Sequence, residues 1–405
     1  VQVRARAWLK NIGLIAVSIL VAGLFAEIAM ALLGMELDGS YYTAERVRGT
    51  AYRAGARAWN VKEGRQLVEI SSDGLRDVEH AVEKPADTLR IAIIGDSFSG
   101  AVEVPRESAY WHVMGEKLGG CAALGGKKVE VINFGVGGYG TAQAWLTLQN
   151  HVWKYDPDVV LLQMYVGNDI FNNYQKLNDE NAGTRIVTPY FKYEGDQLVL
   201  DNGFLSSPTV DPGAIARTNF TNDVINSSRV LLMLYQARRA ILRPRGAPQG
   251  DASDLDPGSP SRDLFTPPKS PDLTEAWRVT EGILAKMSEE VRAKGKALWV
   301  TTVSHPVQVF PDAEARKKLA EKLEAPDLFY PDERIRTFVE SQRAHGVALG
   351  QPMQAYVDEH PGLYVHGFSN TIMGQGHWNE EGHRLGGEIL AERMCGSMGS
   401  AAAAN

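Results

Sequence analysis

Strand-length runs with almost no polar alternation constrain this chain most. LRIAIIG (89–95), KVEVINFG (128–135), DVVLLQMYVGND (158–169) and KALWVTTVSHP (296–306) are near-continuous in apolar residues. A strand with one wet face would alternate, so these need cover on both faces. Helical patterns separate them: ESAYWHVMGEKL (107–118), TAQAWLTLQNHVWKY (141–155, stopped by Pro157) and about 273–294. A further helical stretch at 332–344 leads into a short strand, HGVALGQ (345–351). The last helix is expected from about Glu380 to Arg393, with Asn379 as its N-cap and two glutamates in its first turn. Strands and helices alternating in this way predict an α/β domain built on a parallel sheet. At 44% hydrophobic and 22% charged, a 405-residue chain can fill such a core.

The N-terminus follows another rule. Residues 12–34, IGLIAVSILVAGLFAEIAMALLG, are apolar except for Ser18 and Glu27. At about 1.5 Å per residue such a run spans roughly 34 Å, enough for a bilayer core of about 30 Å. Ala29-Met30-Ala31 offers a small-residue cleavage site. The run is nevertheless longer than the usual signal-peptide core of about 7–15 residues, so a retained anchor is expected. Arg4, Arg6 and Lys10 precede the run and few basic residues follow it, which places the N-terminus in the cytoplasm and the rest outside. The expectation is a single-pass inner-membrane protein with a periplasmic domain. Net charge is −7 with no broad basic face, which argues against a nucleic-acid partner.

The expected organisation is a cytoplasmic tip and transmembrane anchor (1–35), a stalk or lead-in (36–87) with a hairpin around VEISSDGLRD (68–77), and the α/β domain (88–398). An insertion at 172–275 breaks its rhythm, with a hairpin at 185–203 turning at Glu194-Gly195-Asp196 and a helix at 222–242. RPRGAPQGDASDLDPGSPSRD (243–263) reads as a mobile surface loop. Two cysteines, Cys121 and Cys395, are either separate buried thiols or one bridge in an oxidising compartment.

Each of the first three strands ends in a small polar triplet. Gly95-Asp96-Ser97 follows the first, a glycine loop 133–140 containing Gly138 follows the second, and Gly167-Asn168-Asp169 follows the third. Any one alone reads as a turn. In a parallel sheet all three lie beyond the carboxyl ends of the strands, where open α/β sheets bind ligands. The glycine loop is formally G-x-G-x-x-G at 135–140, with Asp156 or Asp158 as a conceivable ribose partner. The match is weak, because that fingerprint belongs to the first strand–helix turn. A bare backbone N–H aimed at an oxyanion is the other use of such a loop. A base is available in Gly376-His377-Trp378, in the loop before the last helix; His383 lies further along that helix and reads as structural.

Together, Gly95-Asp96-Ser97, Gly138, Gly167-Asn168-Asp169 and His377 resemble the SGNH (GDSL-like) hydrolases, here as a membrane-anchored bacterial member. Order and spacing agree over about 89–170 and 296–395. The resemblance implies a flavodoxin-like three-layer α/β/α sandwich with a five-stranded parallel sheet, and a serine esterase with no metal or organic cofactor. It implies Ser97 as nucleophile and His377 as general base and then acid. The Ser97 and Gly138 N–H groups and the Asn168 side chain would form the oxyanion hole. One position departs: the family places an aspartate three residues before its histidine, and Gly374 stands there. A backbone carbonyl, or a carboxylate from elsewhere such as Asp312 or Asp358, would have to orient His377; otherwise a Ser–His dyad remains. In the implied fold the first helix after the nucleophile and the last helix are neighbours, so Cys121 and Cys395 are expected to be bridged. The implied substrate is a small acyl ester, with an O-acetyl group on a cell-envelope polysaccharide as the candidate. Two alternatives stand beside hydrolysis: O-acyl transfer to such a polysaccharide, and a non-catalytic carbohydrate-binding or envelope-assembly role.

Overall fold

A computed structural model describes residues 2–182, 186–242 and 260–403. The stretch 243–263, read above as a surface loop, falls mostly outside the described residues.

Helix α1 (Gln2–Leu32) leads into two small antiparallel hairpins, β1 (Tyr42–Glu45) with β2 (Gly49–Tyr52) and β3 (Arg57–Asn60) with β4 (Gln66–Glu69). The central sheet begins with β5 (Thr88–Ile94), followed by the short α2 (Ser97–Gly100) and α3 (Tyr110–Gly119). Next come β6 (Lys128–Asn133), α4 (Thr141–Asn150), β7 (Val159–Tyr165), α5 (Asp169–Asn172) and α6 (Gln175–Ala182). The insertion holds the hairpin β8 (Tyr190–Glu194) and β9 (Gln197–Asp201), then α7 (Pro212–Asn226) and α8 (Arg229–Leu242). The α/β rhythm resumes with α9 (Pro271–Ala293), β10 (Ala297–Val303), α10 (Ala313–Lys322) and α11 (Tyr330–Ser341). It ends with β11 (His345–Ala348), α12 (Gly350–Glu359) and α13 (Glu380–Ala403).

The sheet runs β6-β5-β7-β10-β11, every pair parallel. Counted within the sheet that is the order 2-1-3-4-5, the flavodoxin-like winding, whose switch point lies between β5 and β7. The apolar runs are continuous for the expected reason. Ala92 and Ile94 of β5 enter the core on one face, with α4 and α9, while Ile91 and Ile93 enter the core on the other, with α3 and α13. Val160 and Leu162 of β7 divide from Val159 and Leu161 in the same way. The domain is therefore the three-layer sandwich anticipated from the sequence.

Residues 36–87 do not stand apart from this sandwich. Tyr41, Tyr52, Val68 and Ile70 form an apolar cluster with Val102, Val136 and Tyr139 from loops at the carboxyl rim of the sheet. The turn expected around 68–77 links no strand pair; the hairpins fall instead at 42–52 and 57–69. The helix expected over 222–242 is two helices. Ser228 interrupts it by accepting the Leu231 N–H through its side chain, at 3.2 Å, as Ser and Thr do at helix starts.

Cys121 and Cys395 are bridged, with a Cα–Cα distance of 5.8 Å. Cys121 follows α3 and Cys395 lies in α13, so the bridge ties the packed pair on one face of the sheet. Breaking it frees a long loop in the unfolded chain. Cys121→Ser is expected to lower the unfolding free energy by about 2–4 kcal/mol. Urea melts under non-reducing conditions check this, and an unchanged midpoint would show that α3 and α13 hold without the bridge.

Helix α1 contains a 23-residue stretch, Lys10–Leu32, of mean hydropathy 2.4, long and apolar enough to cross a membrane.

Candidate active site

Ser97 is the first residue of α2, one step beyond the Gly95-Asp96 exit from β5. The exit is tight because Gly95 leaves no room: a Cβ there would collide with Gln163 Oε1 and Ser99 Oγ. Asp96 caps the short helix, its Oδ1 accepting the Phe98 N–H at 2.9 Å. Burial raises the Asp96 carboxyl to about 6, against hydrogen bonds from Phe98 and Gln163, the charge of His377 and the Asn168 amide. Phe98, Ser99 and Gly100 are buried, while Ser97 is only partly so. The turn thus fixes three residues in the core and leaves the serine at the surface of the rim.

His377 meets it. The imidazole Nε2 lies 2.8 Å from Ser97 Oγ. At the other ring nitrogen, Nδ1 lies 2.5 Å from Oε2 of Glu63, and Glu63 Oε1 accepts the His377 backbone N–H at 2.8 Å. The histidine's side chain is 28% exposed, so a substrate can reach its Nε2 edge. Burial opposes the imidazolium. Glu103, the Glu63 hydrogen bond and further charge from Glu63 and Asp96 overcome it and raise His377 to about 10. Burial in turn favours a neutral Glu63, but its bonds to His377 hold it below the usual carboxylate range. The two directions agree on a charged pair.

The orienting carboxylate is therefore Glu63, which no sequence motif marks. It sits in the turn between β3 and β4, far from the α/β motifs. Asn370 fastens that turn: its side chain donates to the carbonyls of Val61 and Gly64 at 3.1 and 2.9 Å, and accepts the Gly64 N–H at 3.1 Å. Neither aspartate named as a substitute serves. Asp312 caps α10 by accepting the Ala315 N–H, and Asp358 pairs with Arg316 at 2.6 Å. Gly374, where an aspartate was looked for, has φ +83°, and a Cβ there would press on Phe310 and Tyr364. An L-residue at that position is strained twice over.

A second carboxylate backs the histidine. Glu103 Oε1 is 3.8 Å from His377 Nδ1, and its Oε2 is buried with no hydrogen-bond partner among the described residues. Burial raises the Glu103 pKa. Two neighbouring histidines, His366 and His383, serve the packing instead. His366 and His383 are pushed down to about 3, chiefly by burial. His366 Nδ1 bonds the Gly376 carbonyl at 2.7 Å and so props the loop beneath His377, whereas His383 accepts the Tyr110 N–H at 3.2 Å.

Gly138 has φ +82° and lies exposed on the loop after β6. Its neighbour Gly137 is against Ser97, where an added Cβ would sit 3.8 Å from Ser97 Cβ. Gly137 uses its own N–H on the Tyr52 hydroxyl at 3.3 Å. The N–H groups of Ser97 and Gly138 have no acceptor among the described residues. Ser97 owes this to its place in the first turn of a helix, where backbone donors are left over. Asn168 stands at the end of β7, the strand beside β5, half-buried. The formal dinucleotide pattern at 135–140 fails on geometry. Asp156 and Asp158 precede β7 and bind Lys84 and Lys296 at the opposite edge of the sheet.

No protein-family model matches the chain, and no curated protein sequence matches it. Solved structures that resemble it are distant. A G-D-S-L family lipolytic protein described as putative, from Desulfitobacterium hafniense, is 10% identical, with 75% of this chain and 98% of that one covered at a TM-score of 0.33. An acetylxylan esterase from Geobacillus stearothermophilus is 11% identical, covering 76% of this chain and 94% of its own at 0.36. An α/β hydrolase from the metagenome of Lake Arreo is 13% identical, over 76% and 94% at 0.35.

Proposed function

We propose that this chain is a serine ester hydrolase of the SGNH type, working through an acyl-serine intermediate. The observation that carries the reading is the continuous relay Glu63–His377–Ser97, at 2.5 and 2.8 Å. A serine hydroxyl is a poor nucleophile until a base takes its proton. In the proposed reaction Ser97 Oγ bonds to the ester carbonyl carbon as its proton passes to His377 Nε2. The carbonyl electron pair moves onto oxygen. The unpaired N–H groups of Ser97 and Gly138, with the Asn168 amide, then take up the charge that appears only there, each donor accounting for about 3–4 kcal/mol of the barrier. The imidazolium, held by Glu63, gives its proton to the departing alkoxide. Water repeats the sequence on the acyl-serine, releasing the acid and restoring Ser97.

Location narrows the substrate. Arg4, Arg6 and Lys10 precede the apolar run of α1, and a disulfide needs an oxidising compartment. We place the domain outside the cytoplasm, anchored by α1, with an O-acyl ester of a cell-envelope polysaccharide as substrate class. The relay removes the reason for a non-catalytic reading, which rested on the lack of an orienting acid. Acyl transfer to a sugar hydroxyl uses the same acyl-enzyme and differs only in the acceptor.

A fluorophosphonate probe tests the nucleophile. Wild type is expected to label and Ser97→Ala not at all; labelling that persists in Ser97→Ala would reject the assignment. Product analysis with an added polysaccharide acceptor separates hydrolysis from transfer.

A further inference from the structure

Glu27 is the only ionisable residue in the apolar run 12–34, and it does not face lipid unpaired. Its Oε2 accepts the Ser228 hydroxyl at 2.8 Å and the Val230 N–H at 3.1 Å; its Oε1 accepts the Arg229 N–H at 3.1 Å and the Arg229 guanidinium at 3.3 Å. The carboxylate thus caps the first turn of α8. Arg229 also reaches the Met35 carbonyl at 3.0 Å. The turn between α7 and α8 is therefore pinned to α1 at the level of Glu27, not at its end. Leu32 ends α1 five residues later, so that level is about 7–8 Å below the helix end.

Both helices beside this turn carry exposed apolar residues, on α7 among polar ones such as Thr221 and Asp223. On α8, Leu231, Leu234 and Ile241 recur at helical spacing on the side opposite the buried Leu232, and Leu234 is 56% exposed. On α7, Phe220 and Val224 are one turn apart, and Phe220 is 71% exposed. Phe25, Ile28 and Leu32 on α1 are exposed as well. Exposed Arg238 and Arg239 lie further along α8, away from the turn. Basic residues beside an apolar stripe suit an interfacial helix against lipid headgroups.

We propose that the α7–α8 hairpin is a second membrane contact, with its turn end immersed in the outer interfacial layer of the bilayer beside α1. This rests on reading α1 as a span. The occupant of the apolar face is lipid, because the turn between α7 and α8 is bonded to the membrane helix α1 below its end. The contact also bears on the active site. The segment leaving α1 bridges at once to β3 through Asp38 and Trp59, and β3 leads into the turn that carries Glu63. Two fastenings instead of one would hold the catalytic rim at a set attitude to the membrane.

Nitroxide labelling of the full chain in phosphatidylcholine–phosphatidylglycerol vesicles tests it. The native bridge leaves no free thiol among the described residues, so Val224→Cys and Leu234→Cys can be labelled singly. Leu20→Cys in α1 and Glu289→Cys on α9 serve as lipid and water references, and melting curves confirm the fold of each. Dissolved oxygen is expected to relax the labels at 224 and 234 strongly while a water-soluble nickel chelate is excluded, as at 20. Nickel access at 224 and 234 equal to that at 289, with 20 still shielded, would overturn the proposal and leave the span intact. Nickel access at 20 as well would remove the span and the proposal together. Exclusion of both relaxants at 224 and 234 would mean that protein, such as a second copy, covers the face, and would overturn it too.

Discussion

Glu63→Gln is expected to cut kcat on 4-nitrophenyl acetate by about 10⁴-fold with little change in KM, the loss seen when the orienting carboxylate of a triad is neutralised in place. The side chain keeps its volume, so the β3–β4 turn and its Asn370 clamp should survive. What changes is the tautomer. In the neutral ring Glu63 accepts at Nδ1 and at the His377 backbone N–H, which leaves the Nε2 lone pair facing Ser97. A glutamine has one acceptor for these two donors. If its amide group faces Nδ1, the ring proton moves to Nε2 and the base is lost. Glu63→Asp, shorter by one methylene, keeps the charge and should recover part of the rate. A Glu63→Gln enzyme with the wild-type rate would overturn the relay and leave a dyad oriented by another group.

That this residue is hidden in the sequence has a physical cause. Strands buried on both faces announce themselves by composition, because every position must be apolar, so the sheet and the rim position of Ser97 were legible, while the sheet's winding order came only with the SGNH resemblance. Gly95 and Gly138 were legible too, since each sits where backbone geometry or close packing excludes a side chain. The bridge of Cys121 to Cys395 followed once two helices were known to be neighbours. Glu63 carries no such mark. It lies 314 residues from His377 in a turn, among other charged residues, and its alignment depends on packing between the hairpins and the rim. The Asn370 clamp and the φ +73° at Gly376, where a Cβ would collide with Glu63, are visible only in three dimensions. The break at Ser228 is similar. A continuous helical pattern hides it, because the acceptor for the Arg229 and Val230 N–H groups is Glu27, on another helix.

Glu103→Gln should do what Glu63→Gln does not: move the pH dependence without lowering the plateau. The base must be unprotonated at Nε2, so the rate falls with the neutral fraction of His377 as pH drops below its pKa. With that pKa raised to about 10, despite burial, by Glu103 and Glu63, the charged form predominates in the free enzyme at pH 7. Removing the Glu103 charge, 3.8 Å from Nδ1, lowers the pKa and carries the acid limb of kcat/KM toward lower pH. Each tenfold weakening of proton binding at His377 raises the rate at pH 7 about tenfold. Glu63→Gln also removes a charge and moves the limb the same way, but its plateau collapses because the tautomer is lost. The pair of profiles therefore separates the carboxylate that orients from the one that only tunes. Glu103 is buried and its own pKa is raised, so a limb that stays in place in Glu103→Gln would show that it is already protonated in the resting enzyme, with Glu63 alone setting the charge behind His377.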